Sequence, residues 1–149
     1  MNVVVVYESK TGTTRRAALA MGDAWFERGV RCITYPAGAV DPAVVADADM
    51  VVFGTWVDGL FAVGQRPGGR RRLAATLAAL AGPNGNVLAG KKCALYCTYA
   101  VTPGPTLAKL EAMVADAGGD VVGGLAMRRD RLDTGVADFV DAVSDLSAV

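Results

Sequence analysis

An α/β fold built on a doubly wound, five-stranded parallel sheet is predicted by three observations. Short apolar runs alternate with helix-period segments along the chain, the runs are apolar over nearly their whole length, and turn residues separate the two kinds. The runs are Val3–Tyr7, Val30–Tyr35, Met50–Gly54, Cys93–Tyr99 and Asp120–Met127, rich in Val and other strand formers. Between and after them, Thr13–Arg28 places Ala18, Met21 and Trp25 on one helical face, and Pro105–Ala117 does the same with Leu107, Leu110, Val114 and Ala117. A last helix carries Val136, Phe139, Val140, Val143 and Leu146 at helical spacing; Pro42–Ala48 and Arg71–Leu80 are shorter candidates. Gly29 and Gly118 stand where helix C-caps belong, and Pro105 where a first helical residue is tolerated. Right-handed crossovers turn this alternation into a sandwich with helices on both sides of the sheet.

Length and composition narrow the function. The 149 residues fit a single domain, 1–149. The absence of histidine removes Ser-His-Asp and Cys-His nucleophile arrangements and imidazole metal sites. Three cysteines, Cys32, Cys93 and Cys97, neither complete a four-thiolate zinc site nor pair up as a secreted framework, so a reducing cytoplasm is expected. Cys93 and Cys97 lie on one strand without Cys-x-x-Cys spacing and are expected to be buried apolar thiols. Fifteen basic and fifteen acidic residues give zero formal net charge, which argues against nucleic acid as a partner, and no uncharged run is long and apolar enough to span a membrane.

In doubly wound sheets ligands bind beyond the carboxyl ends of the strands where the winding reverses, so the loops after strands one, three and four, Glu8–Thr13, Thr55–Arg66 and Tyr99–Gly104, are the places to look. The first, Glu8-Ser9-Lys10-Thr11-Gly12-Thr13-Thr14, is almost all hydroxyl, glycine and backbone amide ahead of a helix. Open N–H groups and the helix dipole there suit a phosphate, and the same residues also suit a plain helix cap. One glycine does not make a dinucleotide fingerprint, and Gly85-x4-Gly90-Lys91, which approximates a Walker loop, leads into a strand rather than a helix.

Val5-Val6-Tyr7-Glu8-Ser9-Lys10-Thr11-Gly12-Thr13-Thr14, followed by Ala18, resembles the flavodoxin phosphate loop, with Thr13 where many relatives have Asn. Gly54-Thr55-Trp56-Val57-Asp58-Gly59 is similar to the loop whose tryptophan stacks on the isoalloxazine ring in that family. The resemblance implies a flavodoxin-like three-layer sandwich with strand order 2-1-3-4-5, binding FMN without a covalent bond. Its 5′-phosphate would then be held by Ser9, Lys10 through its backbone, Thr11, Gly12, Thr13 and Thr14. Trp56 would stack on the ring, Asp58 would lower the final reduction step, and Gly59 would reorient with flavin redox state. Thr98-Tyr99-Ala100-Val101-Thr102-Pro103-Gly104 would supply the other side of the flavin site, with Tyr99 as the second aromatic, and Thr55, Val57, Thr98, Ala100 and Gly104 complete the candidate set. This last loop differs from the acidic, glycine-rich segment with a following Tyr and Cys that electron-carrier flavodoxins usually have.

The role implied is a cytoplasmic electron carrier in which no side chain is a catalytic acid or base. Two alternatives remain: an FMN-dependent NAD(P)H:quinone-type oxidoreductase, and a flavin-free interaction domain of the same fold. A phosphoacceptor receiver domain is disfavoured because Gly54 stands where its phosphorylated aspartate would end the third strand. Gln65-Arg66-Pro67-Gly68-Gly69-Arg70-Arg71-Arg72 is the strongest charge cluster. Arg66, Arg70, Arg71 and Arg72 could form a solvated loop, attract an acidic electron-transfer partner or hold the phosphates of NAD(P)H near the flavin, the partner expected being a redox protein or a small-molecule acceptor.

Overall fold

The computed structural model describes residues 1–59, 64–82 and 85–147. Six strands, β1 (Asn2–Tyr7), β2 (Arg31–Pro36), β3 (Met50–Asp58), β4 (Arg66–Pro67), β5 (Lys92–Tyr99) and β6 (Asp120–Arg128), alternate with helices α1 (Thr13–Glu27), α2 (Pro42–Ala46), α3 (Arg70–Leu80), α4 (Thr106–Asp116) and α5 (Leu132–Ser147). Five strands are parallel in the order β2-β1-β3-β5-β6, and the two-residue β4 folds back antiparallel on the end of β3. Without β4 this is the predicted order 2-1-3-4-5.

Period-two alternation distributes the apolar runs between two cores. Val3, Val5 and Tyr7 of β1, Met50 and Val52 of β3, and Ala94 and Tyr96 of β5 face α1 and α5, whose Ala18, Met21, Trp25, Phe139 and Val140 cover them. Val4, Val6, Val51, Phe53 and Leu95 point the other way, against Leu73, Leu77 and Leu80 of α3 and Leu110 and Val114 of α4. Both faces of each inner strand are therefore dry, which is why its sequence shows no polar alternation.

Strand β3 corrects the sequence reading. It was expected to stop at Gly54 with a loop from Thr55, and it runs on to Asp58. Gly54 serves here as a recess rather than a turn: a Cβ at this position would lie 2.0 Å from the Tyr96 ring, which occupies the space. Thr55, Trp56 and Val57 are strand formers and keep the ladder going, so Thr55 pairs with Cys97 and Trp56 with Thr98. The loop proper begins near Gly59, and Arg66–Pro67 returns as β4 opposite Val57 and Asp58. Smaller shifts of one or two residues affect the ends of the other elements. The Gly85–Lys91 segment sits ahead of β5, at the amino edge of the sheet, and opens no helix. No helix among the described residues is long and apolar enough to cross a membrane.

Candidate functional site

The chain leaves β1 through Glu8–Gly12 and enters α1 at Thr13, with Gly12 in the left-handed region at φ 97°. Ser9 Oγ accepts from the amides of Gly12 (3.1 Å) and Arg15 (3.3 Å), which ties the loop to the first turn of α1 and leaves its O–H proton to be donated elsewhere. The amides of Lys10, Thr11, Thr13 and Thr14 have no acceptor among the described residues. Four open donors at a helix N-terminus, all lining one pocket, have the chemistry to hold an anion. Behind them, Thr14 Oγ1 lies 2.9 Å from Thr98 Oγ1, both residues being buried, and the Tyr96 hydroxyl donates to the Thr14 carbonyl at 2.9 Å. Within that threonine pair one hydroxyl donates to the other, leaving the second proton for a further acceptor.

This loop forms one wall of a pocket of about 170 Å3 together with Trp56 and Val57 of β3, Thr98 and Tyr99 of β5, and Arg129. Val57, Tyr99 and Ala100 are shared with a second, largely apolar pocket of about 290 Å3 that continues past Gly59 and Gln65 to Val101 and Thr102. Joined, the two form a crevice at the winding reversal with the dimensions of a small-molecule site, roughly 300–1,000 Å3. A larger depression of about 680 Å3 opens at the opposite edge, around Met1, Asp49, Lys91 and Lys92, away from these loops.

Backbone packing sets Trp56. A Cβ on Gly68 would fall 2.0 Å from the indole Cε2, so the ring lies directly on the Gly68 main chain. The Gly68 amide donates to the Trp56 carbonyl at 2.8 Å, and its own carbonyl accepts the Thr55 hydroxyl. Thr55, fully buried, is thus a scaffold residue and lines neither pocket. Asp58 pairs with Arg66 at 3.3 Å, which offsets its negative charge, and Gly104 packs against the Gln65 amide.

Of the predicted residues, the fold brings Lys10, Thr11, Thr13, Thr14, Trp56, Val57, Thr98, Tyr99 and Ala100 together in the first pocket, with Gly59 in the second. Four further residues, Arg129, Gln65, Val101 and Thr102, line the crevice from outside the candidate set. Arg129 follows β6, which lies next to β5, so parallel topology alone could have placed it near the fourth-strand loop. Gln65 is 3% exposed; its Nε2 donates to the Thr102 carbonyl at 2.7 Å, and its Oε1 has no partner. That oxygen is sealed against Gly104, where a Cβ would fall 2.0 Å from it, and stands as an unsatisfied buried acceptor.

The three free thiols sit apart from this chemistry. Cys93 and Cys97 are buried, and burial pushes all three, Cys32 included, up to about 12. They remain neutral thiols at ordinary pH, as expected for apolar positions.

No family model and no curated protein matches the chain. Solved structures do. The two-electron-reduced flavodoxin of Megasphaera elsdenii superposes with a TM-score of 0.70 at 20% identity over 96% of this chain and 98% of its own. Oxidised flavodoxin 1 of Bacillus cereus gives 0.64 at 16% identity over 95% and 98%. Rubredoxin oxygen:oxidoreductase of Desulfovibrio gigas gives 0.67 at 16% identity, with 99% of this chain covering 37% of that longer protein. Over nearly its whole length the chain therefore has the fold of the flavodoxins.

Proposed function

We propose that this protein binds FMN in the crevice at the carboxyl ends of β1, β3 and β5 and serves in electron transfer. The observation that carries the reading is the open amide set of Lys10, Thr11, Thr13 and Thr14 beside an apolar crevice walled by Trp56 and Tyr99. Superposition on flavodoxins described in the oxidised and the two-electron-reduced states supports a redox role.

The residues fit the cofactor's chemistry. The open amides and the spare threonine hydroxyl proton suit a phosphate, and Arg129 adds a positive charge to the same pocket. Bound FMN would supply the one- and two-electron redox chemistry, while the protein supplies binding, stacking and electrostatics. Trp56, held on Gly68, presents an aromatic wall already in place before binding, which lowers the ordering cost. Among the crevice residues the charged side chains are the cations Lys10 and Arg129, and no proton-transfer step is assigned to a side chain.

Titration of the purified protein with FMN, following flavin fluorescence, tests the reading, with riboflavin as the phosphate-free control. FMN is expected to bind at least about a hundredfold more tightly than riboflavin, given several charge-assisted contacts to phosphate of about 1.5–3 kcal/mol each. Equal affinities would remove the phosphate site, and no binding of either would remove the flavin reading.

A further inference from the structure

The chain is neutral overall but strongly polarised. Eleven of its fifteen basic residues and five of its fifteen acidic ones lie at the carboxyl end of the sheet, in the strand-end loops and the first turns of the helices that follow. That end carries a net +6 and the remainder a net −6. Three of the five carboxylates there are already committed: Glu8 to Arg72, Asp58 to Arg66 and Asp130 to Arg128. Lys10, Arg15, Arg70, Arg71, Arg129 and Arg131 are exposed and have no carboxylate partner among the described residues.

A second observation concerns the helices themselves. The first turns of α1, α3 and α4 contain no acidic residue and instead carry Arg15 and Arg16, Arg70 to Arg72, and Lys109. Cations at helix N-termini oppose the macrodipole and add to its positive field. A sequence arranged for stability would place them at the other ends. At the same end Val101 is 85% exposed on the wall of the apolar pocket. An exposed apolar residue on a surface with an excess of one sign of charge has the anatomy of a protein docking surface.

We propose that the carboxyl-end surface, with its unpaired cations and the exposed Val101, docks the acidic face of a partner protein. The identification of that partner as a redox protein rests on the flavin reading above; the charge argument does not. The unpaired cations follow β1, β4 and β6, and β1 and β6 are three strand spacings apart, about 14 Å at about 4.8 Å each. Those on α1 and α3 lie on opposite faces of the sheet. A spread of this size suits an extended acidic surface better than the compact phosphates of one nucleotide.

The test uses the full chain, with and without FMN, against an acidic [2Fe–2S] ferredoxin and basic cytochrome c as probes. Dissociation constants are measured by interferometry at about 20 mM and about 300 mM salt, between which screening shortens from about 20 Å to about 6 Å. Ferredoxin is expected to bind at low salt, to weaken about tenfold at high salt and again in Arg70→Glu/Arg71→Glu, whereas cytochrome c held by the acidic opposite end is not weakened by that reversal. Four results overturn the proposal: no ferredoxin binding at low salt, ferredoxin binding unchanged by the charge reversal, cytochrome c weakened by the reversal as much as ferredoxin, or NADPH or mixed-sequence DNA bound more tightly than ferredoxin. Circular dichroism and urea midpoints show that the variant is folded. Ferredoxin binding without FMN binding would sink the flavin reading alone, and FMN binding without ferredoxin binding would sink the docking surface alone.

Discussion

Cys97 shows how a side chain remote from function still leaves a measurable trace. Burial raises its pKa to about 12, above the value near 9 expected when it is exposed by unfolding. Between those values the folded chain holds a proton that the unfolded chain has lost, so stability is intact below pH 9 and falls as pH rises toward 12. The loss is on the order of 1 kcal/mol per pH unit from this thiol. Urea midpoints of wild type and Cys97→Ala between pH 7.5 and 10.5 check it: the variant is less stable at neutral pH but has the shallower alkaline slope. Single residues were also where the sequence was hardest to read. Ser9 could bind a ligand or brace a helix from its type alone, and the distances to the Gly12 and Arg15 amides show that its oxygen braces the first turn while its O–H remains to be donated. Gln65 looked like the edge of a charge cluster because nothing local reveals that its amide is sealed against Thr102 and Gly104.

At the scale of elements, the pairing of β3 with β4 determines the wall of the crevice. The hairpin return brings Gly68 beneath Trp56, so Gly68→Ala forces either the indole or the strand end to move. Overpacking of this kind costs about 1–3 kcal/mol, and the displaced indole is expected to weaken FMN binding about tenfold. Denaturation and FMN titration of the variant check both, and an unchanged titration would show that Trp56 does not depend on this support. The existence of every element but the two-residue β4 was legible, because continuous Val-rich runs and 3.6-residue periods report burial on two faces and on one, and Arg66–Pro67 shows neither. The end of β3 was not, because Gly54 reads as punctuation until Tyr96, forty-two positions further on, is seen filling its empty side-chain volume. Arg129 was missed for a related reason: its place in the crevice comes from the pairing of β5 with β6, a tertiary fact.

For the whole molecule, charge polarity makes net charge a poor guide to behaviour. A sequence pI near 6.2 suggests a mildly acidic protein at pH 7. The segregated cations are nevertheless expected to retain it on a cation exchanger at low salt, while the opposite end engages an anion exchanger. Arg70→Glu/Arg71→Glu is expected to elute earlier from the cation exchanger and, because it relieves two cations at the α3 N-terminus, to raise stability by a few tenths of a kcal/mol. Salt-gradient elution and urea midpoints of the same pair of proteins measure these opposed effects. Composition could not reveal this polarity, since the totals balance and only the direction of the strands sorts the charges by end.

The two tryptophans inhabit different surroundings. Trp25 is fully enclosed between α1 and α5, with its indole N–H donated to Ser144 at 3.3 Å, whereas Trp56 is half-buried at the crevice. The chain thus has two optical reporters of separate events. Light emitted by Trp25 follows the integrity of the core, and the fraction quenched by acrylamide belongs to Trp56 and follows what enters the crevice. Loss of fold and loss of ligand can therefore be read in one cuvette, without a label.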